Sequence, residues 1–103
     1  MQQWDIVWRN YVHEMFKDKT SEAAVRQRHL ALDLSFATNE AMRTSRIPEI
    51  STRMAAAYAK KTRKTMVRDI NKLITMDLLE RTAKGVRAKR EVILAFLPAR
   101  KFN

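Results

Sequence analysis

A chain of 103 residues with one glycine, Gly85, and two prolines, Pro48 and Pro98, has very few places to reverse direction sharply. Glycine supplies positive-φ conformations and proline ends regular hydrogen-bond ladders, so both punctuate a fold. With so little of either, helices must carry most of this one. Hydrophobic residues make up 46% of the chain, enough to close one modest core in a single domain. No cysteine is present, which removes disulfides and thiolate metal sites. No run approaches the roughly eighteen apolar residues of a membrane span, and Met1-Gln2-Gln3-Trp4-Asp5 lacks the basic and apolar regions of a signal peptide. The chain is therefore expected to be cytoplasmic, with no membrane partner.

Apolar periodicity sets the order of elements. Trp4, Trp8, Tyr11, Val12 and Met15 recur at spacings of three and four, with Val7 and Phe16 on the flanks, and predict an amphipathic helix over residues 3 to 17. Lys17-Asp18-Lys19-Thr20-Ser21 breaks it, and Ser21 followed by Glu22 reads as the cap of a second helix, about 22 to 44. That helix is apolar on two sides, with Leu30, Leu34, Ala37 and Ala41 on one and Val25, Leu32 and Phe36 on the other, so it is expected to be sandwiched. One side would face the C-terminal half and the other the tryptophan helix, of this chain or of a second copy. Pro48 ends the helix, and a short extended piece is expected at Ile47 to Ile50.

Ser51 should cap a short helix, Thr52 to about Ala59, with Met54, Ala55 and Tyr58 inward. Thr62 should cap a third, running to about Met76. The third helix sorts its side chains into two sectors. Met66, Val67, Ile70, Leu73 and Ile74 share one, while Lys61, Lys64, Thr65, Arg68, Asn71, Lys72 and Thr75 crowd the other. Leu78 to Thr82 reads as a strand, Ala83 to Arg90 as a basic loop around Gly85, and Glu91 to Leu97 as a returning strand stopped by Pro98.

The net charge of +10 is unevenly placed. Residues 1 to 45 balance six lysines and arginines against six acids, whereas residues 46 to 103 hold fifteen against five. A neutral front and a basic back imply two jobs, the second facing a polyanion.

Over roughly positions 26 to 97 the chain resembles the winged helix-turn-helix superfamily. Ser51 to Leu73 resembles its second helix, turn and recognition helix. Thr65-x-x-Arg68-Asp69-Ile70-x-x-Leu73 followed by Leu78-Leu79-Glu80-Arg81 is the most specific stretch, and is similar to the C-terminal winged-helix domain of Fic-family proteins. The resemblance implies a mainly α fold with a small β-hairpin, a winged helix-turn-helix (residues 21–103) with an added N-terminal helix (residues 1–20). Lys60 and Asp77 stand where that superfamily commonly has glycine, and both are expected at positive φ, which Asp tolerates better than Lys. The Fic catalytic motif, a His followed by an Asn-Gly-Arg stretch, is absent, so this chain alone could not transfer a nucleotide.

The function expected is double-stranded DNA binding, as a transcriptional regulator. An α-helix fits the major groove, where Arg and Lys bond guanine edges and Asn bonds adenine, while phosphates take cations and hydroxyls. Lys64, Thr65, Arg68 and Asn71 are expected toward bases, and Lys61, Thr62 and Lys72 toward phosphates. Lys84, Arg87, Lys89 and Arg90 of the wing are expected to reach the adjacent backbone or minor groove. Asp69 is read as an ion-pair partner inside the fold. Trp4, Trp8, Tyr11, Val12 and Met15 are read as packing or homodimer residues. Dimerisation would set two half-sites about one helical turn apart. His13 and His29 lack metal-ligand spacing and cysteine partners, no Ser-His-Asp constellation or phosphate loop is visible, and neither cofactor, metal nor enzyme activity is expected. The alternative function is a protein-interaction module of a larger assembly.

Overall fold

Three helices begin on hydroxyl caps, and in each the cap oxygen accepts from the backbone N–H three residues on. Ser21 accepts from Ala24 at 3.1 Å, Ser51 from Met54 at 3.0 Å and Thr62 from Thr65 at 3.4 Å. The computed structural model describes residues 3–38, 40–91 and 95. Among them run α1 (Gln3–Met15), α2 (Glu22–Ala37), a 3-10 helix (Thr44–Glu49), α3 (Thr52–Tyr58), α4 (Arg63–Thr75), β1 (Leu79–Thr82) and β2 (Gly85–Ala88). The fold is mainly helical with one antiparallel hairpin. No helix among the described residues is long and apolar enough to cross a membrane.

The core joins all of these elements. Leu30 and Leu34 of α2, Ile47, Met54 of α3, Ile70 and Leu73 of α4, Leu78 and Val86 are fully buried. α2 is the sandwiched element, and α1 of the same chain covers its second side. Trp8, Val12 and Phe16 are buried there, and the Trp8 indole donates to Ser35 Oγ at 2.8 Å, which donates on to Leu32 O at 2.7 Å. A buried indole N–H needs such a partner. The core thus engages the apolar face of α1 within one chain, with Trp8 and Val12 fully inside it. Tyr11 and Met15 pack half-buried against the same cluster. The side chain of Trp4 lies outside the described residues.

α2 ends earlier than its apolar pattern predicts. It stops at Ala37, with Thr38 extended at φ −161° and its hydroxyl accepting from Glu40 N. The freed chain has a tertiary partner: Met42 and Val86 exchange two backbone hydrogen bonds, at 2.7 and 2.9 Å. The piece expected to be extended, Ile47 to Ile50, is instead mostly 3-10 helix, which puts Ile47 fully inside. Ala55, expected inward, is exposed.

The hairpin also differs from the sequence reading. β1 pairs with β2 in the register Leu79↔Ala88, Glu80↔Arg87, Arg81↔Val86 and Thr82↔Gly85, around the two-residue turn Ala83-Lys84. The returning strand therefore lies within the expected basic loop. Arg90, Glu91 and Ala95 have helical backbone, contrary to a strand over 91 to 97. Val92, Ile93, Leu94, Phe96, Leu97 and Pro98 of that expectation lie outside the described residues.

Two backbone positions hold the hairpin in place. Asp77 has φ 61° just after α4, with its N–H on Ile74 O at 3.0 Å and the Leu78 N–H on Leu73 O at 2.9 Å. This is a Schellman closure, and Leu73 and Leu78 supply its buried apolar contact. Lys60, the other position expected at positive φ, is not left-handed. Gly85 has φ 143°, and a Cβ there would lie 2.2 Å from Met42 O.

Gly85→Ala is expected to destabilise the fold by about 1–3 kcal/mol or more, because backbone on both sides must move. In denaturant titrations the loss should accompany faster hydrogen exchange at Met42 and Val86. Asp77→Gly should act oppositely, raising stability by up to about 1 kcal/mol, since glycine relieves the left-handed strain. The exposed Lys89–Asp77 pair lost with it, at 3.6 Å, contributes little.

Candidate nucleic-acid interface

The outward face of α4 is set by what its inward face grips. Asp69 is 1% exposed, and its carboxylate accepts from Arg26 Nε at 2.6 Å, Arg26 Nη2 at 3.1 Å, Gln27 Nε2 at 3.0 Å and the Tyr58 hydroxyl at 2.7 Å. Donors from α2 and α3 thus meet on one residue of α4, and the structural role read for Asp69 stands. Burial alone would push this carboxyl up. The hydrogen bonds from Arg26, Gln27 and Tyr58, with the Arg26 charge, outweigh burial and hold it below its ordinary value of 3.8. Burial, then the bond to Asp69, pushes the Tyr58 hydroxyl far up, so it stays a donor.

With Met66, Asp69, Ile70 and Leu73 inward, Arg63, Lys64, Arg68, Asn71 and Lys72 are exposed. Among the described residues Arg63, Lys64, Arg68 and Lys72 form no ion pair, and this exposed face carries no acid. Lys61 does reach an acid, Glu22, at 3.2 Å. Thr62 is exposed as the cap and Thr65 is half-buried with its hydroxyl 3.5 Å from that of Thr62. Asn71 Oδ1 accepts from Arg81 Nη2 at 3.0 Å, which leaves its amide N–H groups outward.

The four wing cations divide. Lys84 sits exposed in the hairpin turn and has no acid partner among the described residues. Arg87 meets Glu80 across the hairpin at 3.4 Å and Glu91 at 3.9 Å, and Lys89 meets Asp77 at 3.6 Å. Arg90 pairs with Asp5 of α1, and its other nitrogen donates to Ser35 O at 3.4 Å. Arg87 thus braces the hairpin itself, while Lys89 and Arg90 tie its C-terminal flank to the rest of the protein.

In their place stand cations that sequence reasoning did not single out. Arg43, Arg63 and Arg81 join Lys84 around a cleft of ≈ 460 Å³ between the start of the 3-10 helix, the start of α4 and the hairpin turn. Thr44, Ser45 and Thr82 line the same cleft, and no acid does, although the Thr82 hydroxyl is spent within the turn, donating to Gly85 O at 3.2 Å. Four cations with no opposing charge thus make an open, positively charged cleft beside the exposed face of α4. The one available signal was Gly85, the chain's single glycine, whose contact with Met42 brings position 43 to the hairpin turn.

Among the described residues no group of three or more His, Asp and Glu side chains is arranged to hold a metal ion. Comparisons with protein-family models, with curated proteins and with solved structures each returned no match, so function is argued from these side chains alone.

Asp69→Asn is expected to lower stability by about 3–5 kcal/mol, because it leaves the nearly buried Arg26 without its counter-charge. The pH dependence has a defined sign. A carboxyl held lower in the folded than in the unfolded state stabilises fully above the ordinary value of 3.8, and that contribution is lost as pH falls through the folded value. Acid denaturation curves should therefore show a limb below that pH in the native chain that the variant lacks.

Proposed function

We propose that the protein is a double-stranded DNA-binding regulator in which α2, α3, α4 and the hairpin act as a winged helix-turn-helix. α4 enters the major groove, and the cleft beside it grips the sugar-phosphate backbone. The observation that carries this reading is the exposed, acid-free face of α4, with Lys64, Arg68 and Lys72 outward and unneutralised by the protein's own carboxylates. A one-sign face on a rigid helix is costly in self-repulsion unless a polyanion meets it.

Roles follow from reach and chemistry. Arg68 lies at mid-helix and can present two parallel donors to a guanine edge, Asn71 can offer its amide N–H to a base acceptor, and Lys64 stands at the entering end. Lys72 and the Arg43, Arg63, Arg81 and Lys84 group contact phosphates, which fix register without reading sequence. Arg87, Lys89 and Arg90, already paired internally, hold the wing rather than touch DNA. Lys61 contributes less than its charge suggests, since Glu22 lies 3.2 Å away.

Anisotropy with a labelled duplex over a salt series tests this. Affinity should fall linearly on logarithmic axes with a slope of about −0.9 per neutralised phosphate. Lys72→Ala and Arg81→Ala should each flatten that slope by about one, and Arg68→Ala should cost about 1–3 kcal/mol at one base position. Arg87→Ala should leave binding nearly unchanged. Weak association insensitive to salt, or equal loss from Arg87→Ala and Arg68→Ala, would favour a protein-interaction module instead.

A further inference from the structure

Away from the outward face of α4, helices α1, α2 and α3 meet around an indentation of ≈ 270 Å³. Arg9 and His13 of α1, His29 and Asp33 of α2, and Arg53 of α3 form its polar wall, and Leu32 with the face of Phe36 forms its apolar side. Nothing in the DNA-binding reading uses these residues. Two histidines sixteen positions apart in sequence are brought to one site by the packing of α1 on α2.

The charges here do not cancel. Asp33 is engaged: its carboxylate accepts from Ser51 Oγ at 2.9 Å and from Arg53 Nε at 3.0 Å, with Arg53 Nη2 on its other oxygen. Arg9 has no acid partner among the described residues, and its guanidinium lies 5.3 Å from the centre of the Phe36 ring. Arg28 does not line the indentation, but its charge reaches both imidazoles. Phe36 is meanwhile 40% exposed, one of two large apolar side chains so placed among the described residues, with the Arg90 guanidinium also 5.7 Å from its ring.

The imidazoles respond to the same field. Burial, then the charges of Arg28, Arg9 and Arg53, hold His13 below its ordinary value of 6.5. Burial, then Arg53 and Arg28, hold His29 below it, with Asp33 pulling the other way and His13 adding to the depression. An anion in the indentation would offset the arginine charges and raise both.

We propose that this indentation binds a small organic anion, with its charged end on Arg9, His13 and His29 and its apolar end on Phe36 and Leu32. The volume sits just under the range of drug-sized pockets, so the occupant is a carboxylate or phosphate monoester with one ring or short chain. The arrangement joins donors from α1 and α2 to an apolar wall, as small-molecule sites do.

The test follows the imidazole proton resonances of His13 and His29, the chain's two histidines, in the full chain. Phenyl phosphate, benzoate and inorganic phosphate are titrated at constant ionic strength, with chloride as control. The expected result is a saturable response in the millimolar range or tighter to an organic anion, at least about tenfold stronger than to inorganic phosphate. Both histidine titration midpoints should move upward on saturation. The tighter of benzoate and phenyl phosphate identifies the charged end. Arg9→Gln, and separately His29→Gln read at His13, should each weaken binding at least about tenfold while melting as cooperatively as the native chain. The proposal is overturned by a response that never saturates or that chloride matches. It is equally overturned if inorganic phosphate binds as tightly as both organic anions, or if a folded Arg9→Gln variant binds undiminished.

Discussion

One buried carboxylate sets the geometry of this protein. Asp69 takes four hydrogen bonds from three side chains, two of them on α2 and one on α3, while sitting on α4 itself. Removing a carboxylate from water is unfavourable, and here the charge of Arg26 and the donors of Gln27 and Tyr58 offset it. The aliphatic contacts of Ile70 and Leu73 provide most of the adhesion but little directional information. The carboxylate adds direction, because donors from fixed points on two helices can converge on it in only one orientation of the third. Neighbouring residues on a helix point about 100° apart, so turning Asp69 inward turns Arg68 toward solvent.

Local chemistry was largely legible in the sequence. Ser21, Ser51 and Thr62 each start a helix because a hydroxyl beside a periodic apolar run satisfies an otherwise free N–H. The two-faced sorting of α4 was legible for the same reason, since it depends only on helical pitch. What was hidden depends on partners distant in the chain. Arg26 lies 43 positions from Asp69, and no local pattern links them. The end of α2 was placed late because Ala41 continues an apolar stripe, whereas Met42 is claimed by Val86. The returning strand was placed on the strongly apolar run after Glu91. The segment that pairs, Gly85-Val86-Arg87-Ala88, has weak strand propensity and is held by its neighbours.

The same distinction separates the cations. Counting charge along the chain could assign a basic half, but it could not see which positive groups the protein neutralises itself. Glu80, Asp77 and Asp5 meet Arg87, Lys89 and Arg90, and Asp33 meets Arg53, while Arg63, Lys64, Arg68 and Lys72 of α4 meet no acid among the described residues. The cleft formed by Arg43, Arg63, Arg81 and Lys84 combines residues from three separated segments. It exists only because the Met42–Val86 bridge closes the hairpin onto the chain ahead of α3.

That closure limits how far the molecule can extend. A hairpin with a two-residue turn, stitched to Met42 near its tip, has no free length to curl around a rod-like ligand. If α4 is the reading element, base contacts are confined to its span, whose 13 residues cover about 20 Å, the rise of about six base pairs. In the proposed reading, one copy inspects a footprint shorter than a turn of duplex. Recognition of any longer address then falls to a second copy set down beside the first, and the spacing of the two becomes part of what is read.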